Sequence, residues 1–559
     1  MADSSTWVAA RAVRAPAPFW DQLALALFVV ATALVVITFT DYGVTWDEDV
    51  HLWYGVFVLD YYLSGFTDLH ALNWGDLYNY GAAFDLAAAA LNHLSPFGTY
   101  ETRHLLNGLV GVLGLVGVWQ LGRALAGPRA GFIAALFLLL TPNYYGQMFN
   151  NPKDVPFAVG MVWAMNYLVH ILPELPRPRP ALVAKFGVAA GMALGVRVGG
   201  LLLFCYLGLA LLLFALWRGA EARRLGTVIA EGWSSFWRVF LPAFVVAYPV
   251  MLLFWPWAQQ APFTNPLWTL GYFSHEIFPF RTLFAGRYFP ATDLPWAYLP
   301  THIVLALPEL ILGLLAVAPV AAFLIARQRR WRLERARTLQ LFILAFAIVF
   351  PVAYAVAIKA VLFDGMRHFI FVLPLIAALT AALAEYCVAA LERLPAPRVS
   401  LRRYAYGALA AYGLWHAGVM VRLHPDEYVY YNGFIGGIEG AAGLFKLDYW
   451  ANSYAEAVGA LEDRLRAEYG NDFMNHDFTV AVCGPPISAA YYFPSNFIFT
   501  ADRDDAEFFI AFTKDDCDKA VPGKVIYRVE RMGTLLSEVI DRRAILAQSV
   551  GTGTPADGI

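Results

Sequence analysis

Long apolar runs separated by short polar stretches recur along most of this chain. The first, over 20–40, holds one charge, Asp21, near its start. At about 1.5 Å of rise per residue it is long enough to cross a hydrocarbon layer about 30 Å thick. The same test marks 104–122, 131–146, 155–173, 181–196, 199–217, 239–258, 298–326, 339–360, 368–392 and 404–421. The pattern therefore predicts about eleven membrane spans. The run at 131–146 is short, and the pair around Arg197 admits another division.

Beyond 421 the pattern changes. YAEAVGALEDRLRAEY (454–469) has apolar residues at helical spacing, with Ser453 as its N-cap. FTVAVCG, NFIFT, AEFFIAFT and KVIYRVER read as strands. The predicted fold is an all-α polytopic membrane bundle followed by a small C-terminal α/β extracytoplasmic domain. Its segments are a cytoplasmic stretch over 1–19, a transmembrane domain over 20–421 and the outer domain over 422–559. Two large outer loops, 41–103 and 259–297, interrupt the bundle. FDLAAAALNHL (84–94) suggests a short helix lying along the interface.

Loop charges set the orientation. Arg123 and Arg129, Arg177 and Arg179, Arg218, Arg223 and Arg224, then the arginine-rich stretches 327–337 and 393–403 all fall on one side. The positive-inside rule makes that side cytoplasmic. The N-terminus is then cytoplasmic and the C-terminal domain periplasmic, in a multi-pass protein of a bacterial inner membrane. Composition agrees: 59% of residues are hydrophobic and 15% charged, against about a quarter charged in soluble domains. A net charge of −3 argues against a nucleic-acid partner. The first apolar run is too long for a signal-peptide core, so it reads as a retained helix.

Of the four cysteines, Cys205 and Cys387 fall in spans and read as packing residues. Cys483 and Cys517 share the outer domain, where they either pair or remain two buried thiols. No Cys/His cluster has zinc spacing.

The residues that could carry chemistry gather near the outer ends of spans. Asp47 and Glu48, in WDEDVHLWYG, follow the first span directly. A carboxylate there can act as a general base, or simply begin a solvated loop. NNPKDVP (150–156) offers Lys153 as a point charge for phosphate. Its Asp154, with Pro156, also suits the first turn of a helix. Arg197 lies between two apolar runs, either in a short outer turn or as an anion-binding residue. In FDGMRHFIF, Arg367 and His368 begin a span; Arg367 either pairs locally with Asp364 or faces a lipid phosphate. The loop SHEIFPFRTLFAGRYFPATDLPWAYLP places His275, Glu276, Arg281, Arg287 and Asp293 among aromatics. Those rings form an interfacial belt or cover a carbohydrate. One face thus presents acids for proton abstraction and cations for phosphate, as an enzyme acting on a lipid phosphate requires.

These pieces resemble the polytopic GT-C glycosyltransferases of the protein O-mannosyltransferase and aminoarabinose-transferase superfamily. The resemblance rests on Trp46-Asp47-Glu48, NNPKDVP, the Arg197 turn, LPWAYLP (294–300), DGMRHF (364–369) and HPDEYVYYN (424–432), in that order. It implies a GT-C-like bundle and inverting transfer of a sugar from a polyprenyl-phosphate donor to a lipid, glycan or protein acceptor. Asp47 would be the general base, Glu48 its support and Asp154 a second acid. Lys153, Arg197, Arg367 and His368 would hold the donor phosphate, and the loop carrying His275, Glu276 and Arg287 would cover the substrate. No cofactor is expected; for the divalent metal that some other GT-C enzymes use, Glu48 or Asp154 would be the ligands. The chain departs from the pattern in having about eleven spans rather than about thirteen, and in its tail from Lys446 onward. The competing readings are a transporter or flippase of lipid-linked sugars, which would favour inverted repeats that the sequence lacks, and an assembly factor, which leaves the Asp47-Glu48 pair unexplained.

Overall fold

The computed structural model describes residues 17–275, 280–317, 335–391 and 398–551. The chain enters through α1 (Ala17–Thr38) and turns at 39–45 into α2 (Trp46–Leu63). α3 (Ala83–Asn92) packs against α2, and α4 (Thr99–Ala126) returns through the bundle. α5 (Pro128–Leu139), α6 (Pro142–Asn150), α7 (Asp154–Ile171) and α8 (Pro180–Leu194) follow. α4 is the central helix, packed on α1, α5, α6 and α7 and on the later helix Val372–Leu391. All eleven predicted runs contain helix.

Among the described residues, six helices are long and apolar enough to cross a membrane, or seven if one bent pair counts as a span, against the expected eleven or so. Pro128–Leu139, Pro180–Leu194 and Val372–Val388 are apolar but shorter. Two runs are broken at prolines. Pro142 starts α6 after a break at 140–141, and Pro308 separates Tyr298–Ala306 from Glu309–Val317, bent by 111°. Proline lacks an N–H and disfavours helix in the residue before it, so each run ends there and restarts. Asn432 covers the exposed end of the second break, donating from Nδ2 to the carbonyls of Val304 and Leu307.

The loop over 259–297 carries a hairpin that the sequence pattern does not show. β1 (Arg281–Phe284) pairs antiparallel with β2 (Arg287–Pro290). The C-terminal domain contains β3 (Phe478–Val482), β4 (Phe497–Phe499), β5 (Phe508–Phe512), β6 (Lys524–Arg531) and β7 (Thr534–Asp541) in the order β4-β3-β5-β7-β6. The expected strands are present. β7 was not expected, because its side chains are buried on both faces and no polar alternation marks it. The helix Tyr454–Tyr469 forms as predicted, but Ser453 does not cap it. Its hydroxyl shares hydrogen bonds with Asp448 and Ser537 instead. Cys483 and Cys517 form a disulfide closing the end of β3 onto the turn after β5; Cys205 and Cys387 are free.

The C-terminal domain is joined to the bundle by polar contacts. Asn452 Oδ1 accepts from the backbone N–H of Gly43 at 2.8 Å and from Asn150 Nδ2 at 3.0 Å. Its Nδ2 donates to Asp426 at 2.6 Å. One asparagine thus ties the α1–α2 turn, the end of α6 and HPDEYVYYN together.

Candidate active site

α2 begins at Trp46, so Asp47 and Glu48 both lie in its first turn, where carboxylates favour the positive end of the helix dipole. Their side chains then diverge. Glu48 is 1% exposed, and its Oε2 accepts from the Thr45 N–H at 2.9 Å in a capping box. Its Oε1 lies 2.8 Å from His104 Nε2 on α4. Every direction it could act in is occupied, and its geometry fits an anchor of α2 rather than a base.

Asp47 remains 20% exposed and forms a 2.5 Å ion pair with Arg367, itself only 4% exposed. Arg367 lies between aromatic faces, 4.7 Å from the Phe363 ring and 5.2 Å from that of Trp450. The local alternative, Arg367 paired with Asp364, does not form. Asp364 instead meets Lys446 at 3.4 Å and Lys514 at 3.9 Å. Burial pushes the Asp47 carboxyl up, but Arg367 and Lys153 outweigh it and hold the group well below the usual carboxylate range.

Lys153 and Asp154 reach the same place from the turn between α6 and α7. Asn151 builds that turn: its Oδ1 accepts from the Asp154 N–H at 2.9 Å and its Nδ2 donates to Asp154 Oδ2 at 3.0 Å. Asp154 starts α7, as the sequence allows, and also pairs with Arg197 at 2.5 Å. Arg197 stands at the turn after α8. Its guanidinium and the Lys153 ammonium share the Tyr80 ring, at 5.6 and 5.0 Å. Burial, with Arg197 and Arg367 nearby, pulls the Lys153 ammonium down to about 8 against the opposing pull of Asp47 and Asp154. His368 stands beside Arg367, edge-on to Phe363 at 4.9 Å.

Asp47, Lys153, Asp154, Arg197, Arg367 and His368 are thus brought to one neighbourhood from four separate chain segments. Of the loop residues, Arg287 is not joined to it. Arg287 is exposed on β2, His275 ends the helix Asn265–His275, and Glu276 lies outside the described residues. Glu48 and Asp154 do not fit a metal, since each is committed to protein partners. Among the described residues, no three His, Cys, Asp or Glu side chains gather to hold one.

Residues that sequence reasoning missed complete the site. Trp450 and Lys446 come from KLDYWANSY, and Lys514 stacks on the Trp46 ring at 4.2 Å. All three belong to the tail, whose approach to the bundle no local pattern encodes. HPDEYVYYN works as a clamp: His424 bridges Asp41 and Glu427 at 3.0 and 2.9 Å, and Asp426 pairs with Arg531 at 2.9 Å.

Residues 101–255 match the family model described as dolichyl-phosphate-mannose-protein mannosyltransferase. That stretch contains Lys153, Asp154 and Arg197, but neither Asp47 nor Arg367. No curated protein matches the chain. Similar solved structures include ArnT from Cupriavidus metallidurans bound to undecaprenyl phosphate, at 16% identity and a TM-score of 0.49, covering 94% of this chain and 98% of that one. The apo Archaeoglobus fulgidus oligosaccharyltransferase is similar at 12% identity and a TM-score of 0.43, covering 88% of this chain and 66% of that one.

Proposed function

We propose that this protein is a membrane glycosyltransferase that moves a sugar from a polyprenyl-phosphate donor to an acceptor hydroxyl, with inversion, on the periplasmic face. The observation that carries the reading is the pairing of a partly exposed carboxylate, Asp47, with a buried arginine, Arg367, beside Lys153 and Arg197. The match of 101–255 to a mannosyltransferase family model supports it.

The chemistry follows from charge. As the sugar C1–O bond breaks, negative charge grows on the leaving phosphate. Fixed cations that meet it there lower the barrier, because they need no reorganisation. Arg367 is aimed by its two aromatic neighbours and Arg197 by Asp154, so both are preorganised. Lys153 adds a compact charge. Asp47 is the group that receives the acceptor hydroxyl, and its ionised state keeps an oxygen lone pair ready for that proton. The lipid tail stays among the spans while the head group reacts.

The test is purified protein in detergent with a panel of radiolabelled polyprenyl-phosphate hexoses and pentoses, read as release of free polyprenyl phosphate and labelled sugar. Cleavage of at least one donor is expected. Movement of intact donor across a vesicle membrane without cleavage would make the protein a flippase instead.

A further inference from the structure

A second polar cluster begins one helical turn beyond Asp47 on α2, and the proposed reaction does not use it. His51 stands four residues after Asp47 on α2, so the two side chains share a helix face about one turn apart. Its Nδ1 lies 2.8 Å from Asp85 Oδ2 on α3. Asp85 Oδ1 accepts from Arg103 Nη2 on α4 at 2.5 Å. All three are almost fully buried, at 2%, 3% and 1% exposed. Three charged or polar groups from three helices are costly to bury unless their geometry is kept.

The backbone is shaped to keep it. Gly55 lies one turn beyond His51, and a Cβ there would come within 2.5 Å of the Asp85 carbonyl oxygen. Only glycine lets α3 approach α2 closely enough for Asp85 to reach the imidazole. The strut from Tyr80 to Asp85 then connects this cluster to the cations. Tyr80 underlies Lys153 and Arg197, and the N–H of Ala83 donates to the carbonyl of Gly195, two residues before Arg197.

One atom is left over. Nδ1 faces Asp85, so in the neutral ring that donates there Nε2 is the acceptor, and it is buried with no hydrogen-bond partner among the described residues. A buried unsatisfied acceptor is uncommon and costly. Asp47, held ionised by Arg367, is a poor final resting place for a proton.

We propose that His51 is the proton relay of this site: the acceptor hydroxyl proton, taken up at Asp47, passes through one bridging water to His51 Nε2. The step rests on the glycosyl-transfer reading above. The acceptor O–H bond breaks and a C1–O glycosidic bond forms. The donor C1–O bond breaks, and its electron pair leaves with the polyprenyl phosphate. The proton rests on Nε2, where the imidazolium is balanced by Asp85, and returns by the same water to the partly exposed Asp47 and out to solvent after the product departs. Arg103 fixes Asp85, and Asp85 fixes the tautomer that leaves Nε2 bare. His51 acts through Asp47, so it is a positioning and relay residue rather than one that touches substrate.

The test is steady-state hydrolysis of radiolabelled polyprenyl-phosphate hexose with water as acceptor, in wild type, His51→Asn, Asp85→Asn and Asp47→Asn/His51→Asn. An asparagine at 51 can still donate to Asp85 from the place of Nδ1, so a structural role would survive in it. An asparagine at 85 donates to Nδ1 and moves the ring proton to Nε2. The relay requires kcat to fall by about 100-fold or more in both single variants, with donor KM within threefold of wild type. It also requires the double variant to be no worse than Asp47→Asn alone, since residues that act as a unit are not additive. If either single variant keeps kcat within about fivefold, or if the double variant is worse by the full product, the relay is overturned. Wild-type protein that cleaves no donor would instead overturn the glycosyl-transfer reading itself.

Discussion

Arg367 Nη1 donates to Asp47 Oδ2 at 2.5 Å across 320 residues of sequence. The pair closes the end of the bundle: Asp47 comes from the first turn of α2 and Arg367 from the turn before Val372–Leu391. A carboxylate so held is charged throughout the neutral range, and an arginine so held cannot swing away from a phosphate. Asp47→Asn retains the shape and a hydrogen bond but removes the base. Transfer should fall by roughly 100- to 10,000-fold, while binding of polyprenyl phosphate persists. Sugar transfer and lipid-phosphate binding measured on the same folded preparation check it; full transfer in Asp47→Asn would remove the base assignment.

Arg367→Ala should act on the donor. A charge-assisted hydrogen bond contributes about 1.5–3 kcal/mol, so affinity for polyprenyl phosphate should drop by roughly 10- to 100-fold. Arg367→Lys should recover little of it. An ammonium can neither lie flat between Phe363 and Trp450 nor offer two parallel donors to a phosphate. Titration calorimetry or tryptophan fluorescence would measure both variants, and unchanged affinity would make the Asp47–Arg367 pair purely structural.

Glu48→Gln should behave oppositely to Asp47→Asn. Glu48 is joined to Thr45 and His104 in the interior, and removing one charge of a buried pair costs about 3–5 kcal/mol. The expected result is a clearly lowered melting temperature, with turnover per folded molecule retained within a few-fold. A stable but inactive Glu48→Gln would return Glu48 to the chemistry.

Much of this was legible in the sequence, for local reasons. The apolar runs mark helices because a membrane leaves few other options, although two of the predicted runs continue straight through Pro142 and Pro308, where the helices break. Asp47, Lys153, Arg197 and Arg367 stood out because charge at the end of an apolar run is conspicuous. What could not be read was pairing. Arg367 has Asp364 three residues away, yet Asp364 goes to Lys446 and Lys514 from the tail. The adjacent acids Asp47 and Glu48 differ because successive helical residues point about 100° apart, placing one toward the opening and the other toward α4. His51, Asp85 and Arg103 looked ordinary in sequence, since their link depends on a glycine contact between two helices.

The disulfide gives a prediction independent of the site. Cys483 and Cys517 are separated by 34 residues, a loop for which chain-entropy reasoning gives about 4 kcal/mol. Non-reducing mass spectrometry should find the two peptides linked. Cys483→Ser/Cys517→Ser should lower the denaturation midpoint of the C-terminal domain, while free thiols at both positions in protein from an oxidising compartment would contradict the pairing.

Lys153 sets a pH dependence with a definite sign. Its ammonium is lowered by burial to about 8, well below an unfolded lysine near 10.4. Between these values the unfolded chain binds more protons, so folding stability should rise as pH climbs from about 8 to about 10 and carry the full penalty below 8. Donor binding should run the other way. The phosphate needs the charged ammonium, so affinity should weaken as pH rises through about 8, by at most about tenfold per pH unit for one proton. Lys153→Arg keeps its charge throughout and should flatten the profile from pH 7 to 9. Lys153→Met should flatten it at a lower affinity. Polyprenyl-phosphate binding across this range measures both limbs, and a wild-type profile parallel to that of Lys153→Met would show that Lys153 does not meet the phosphate.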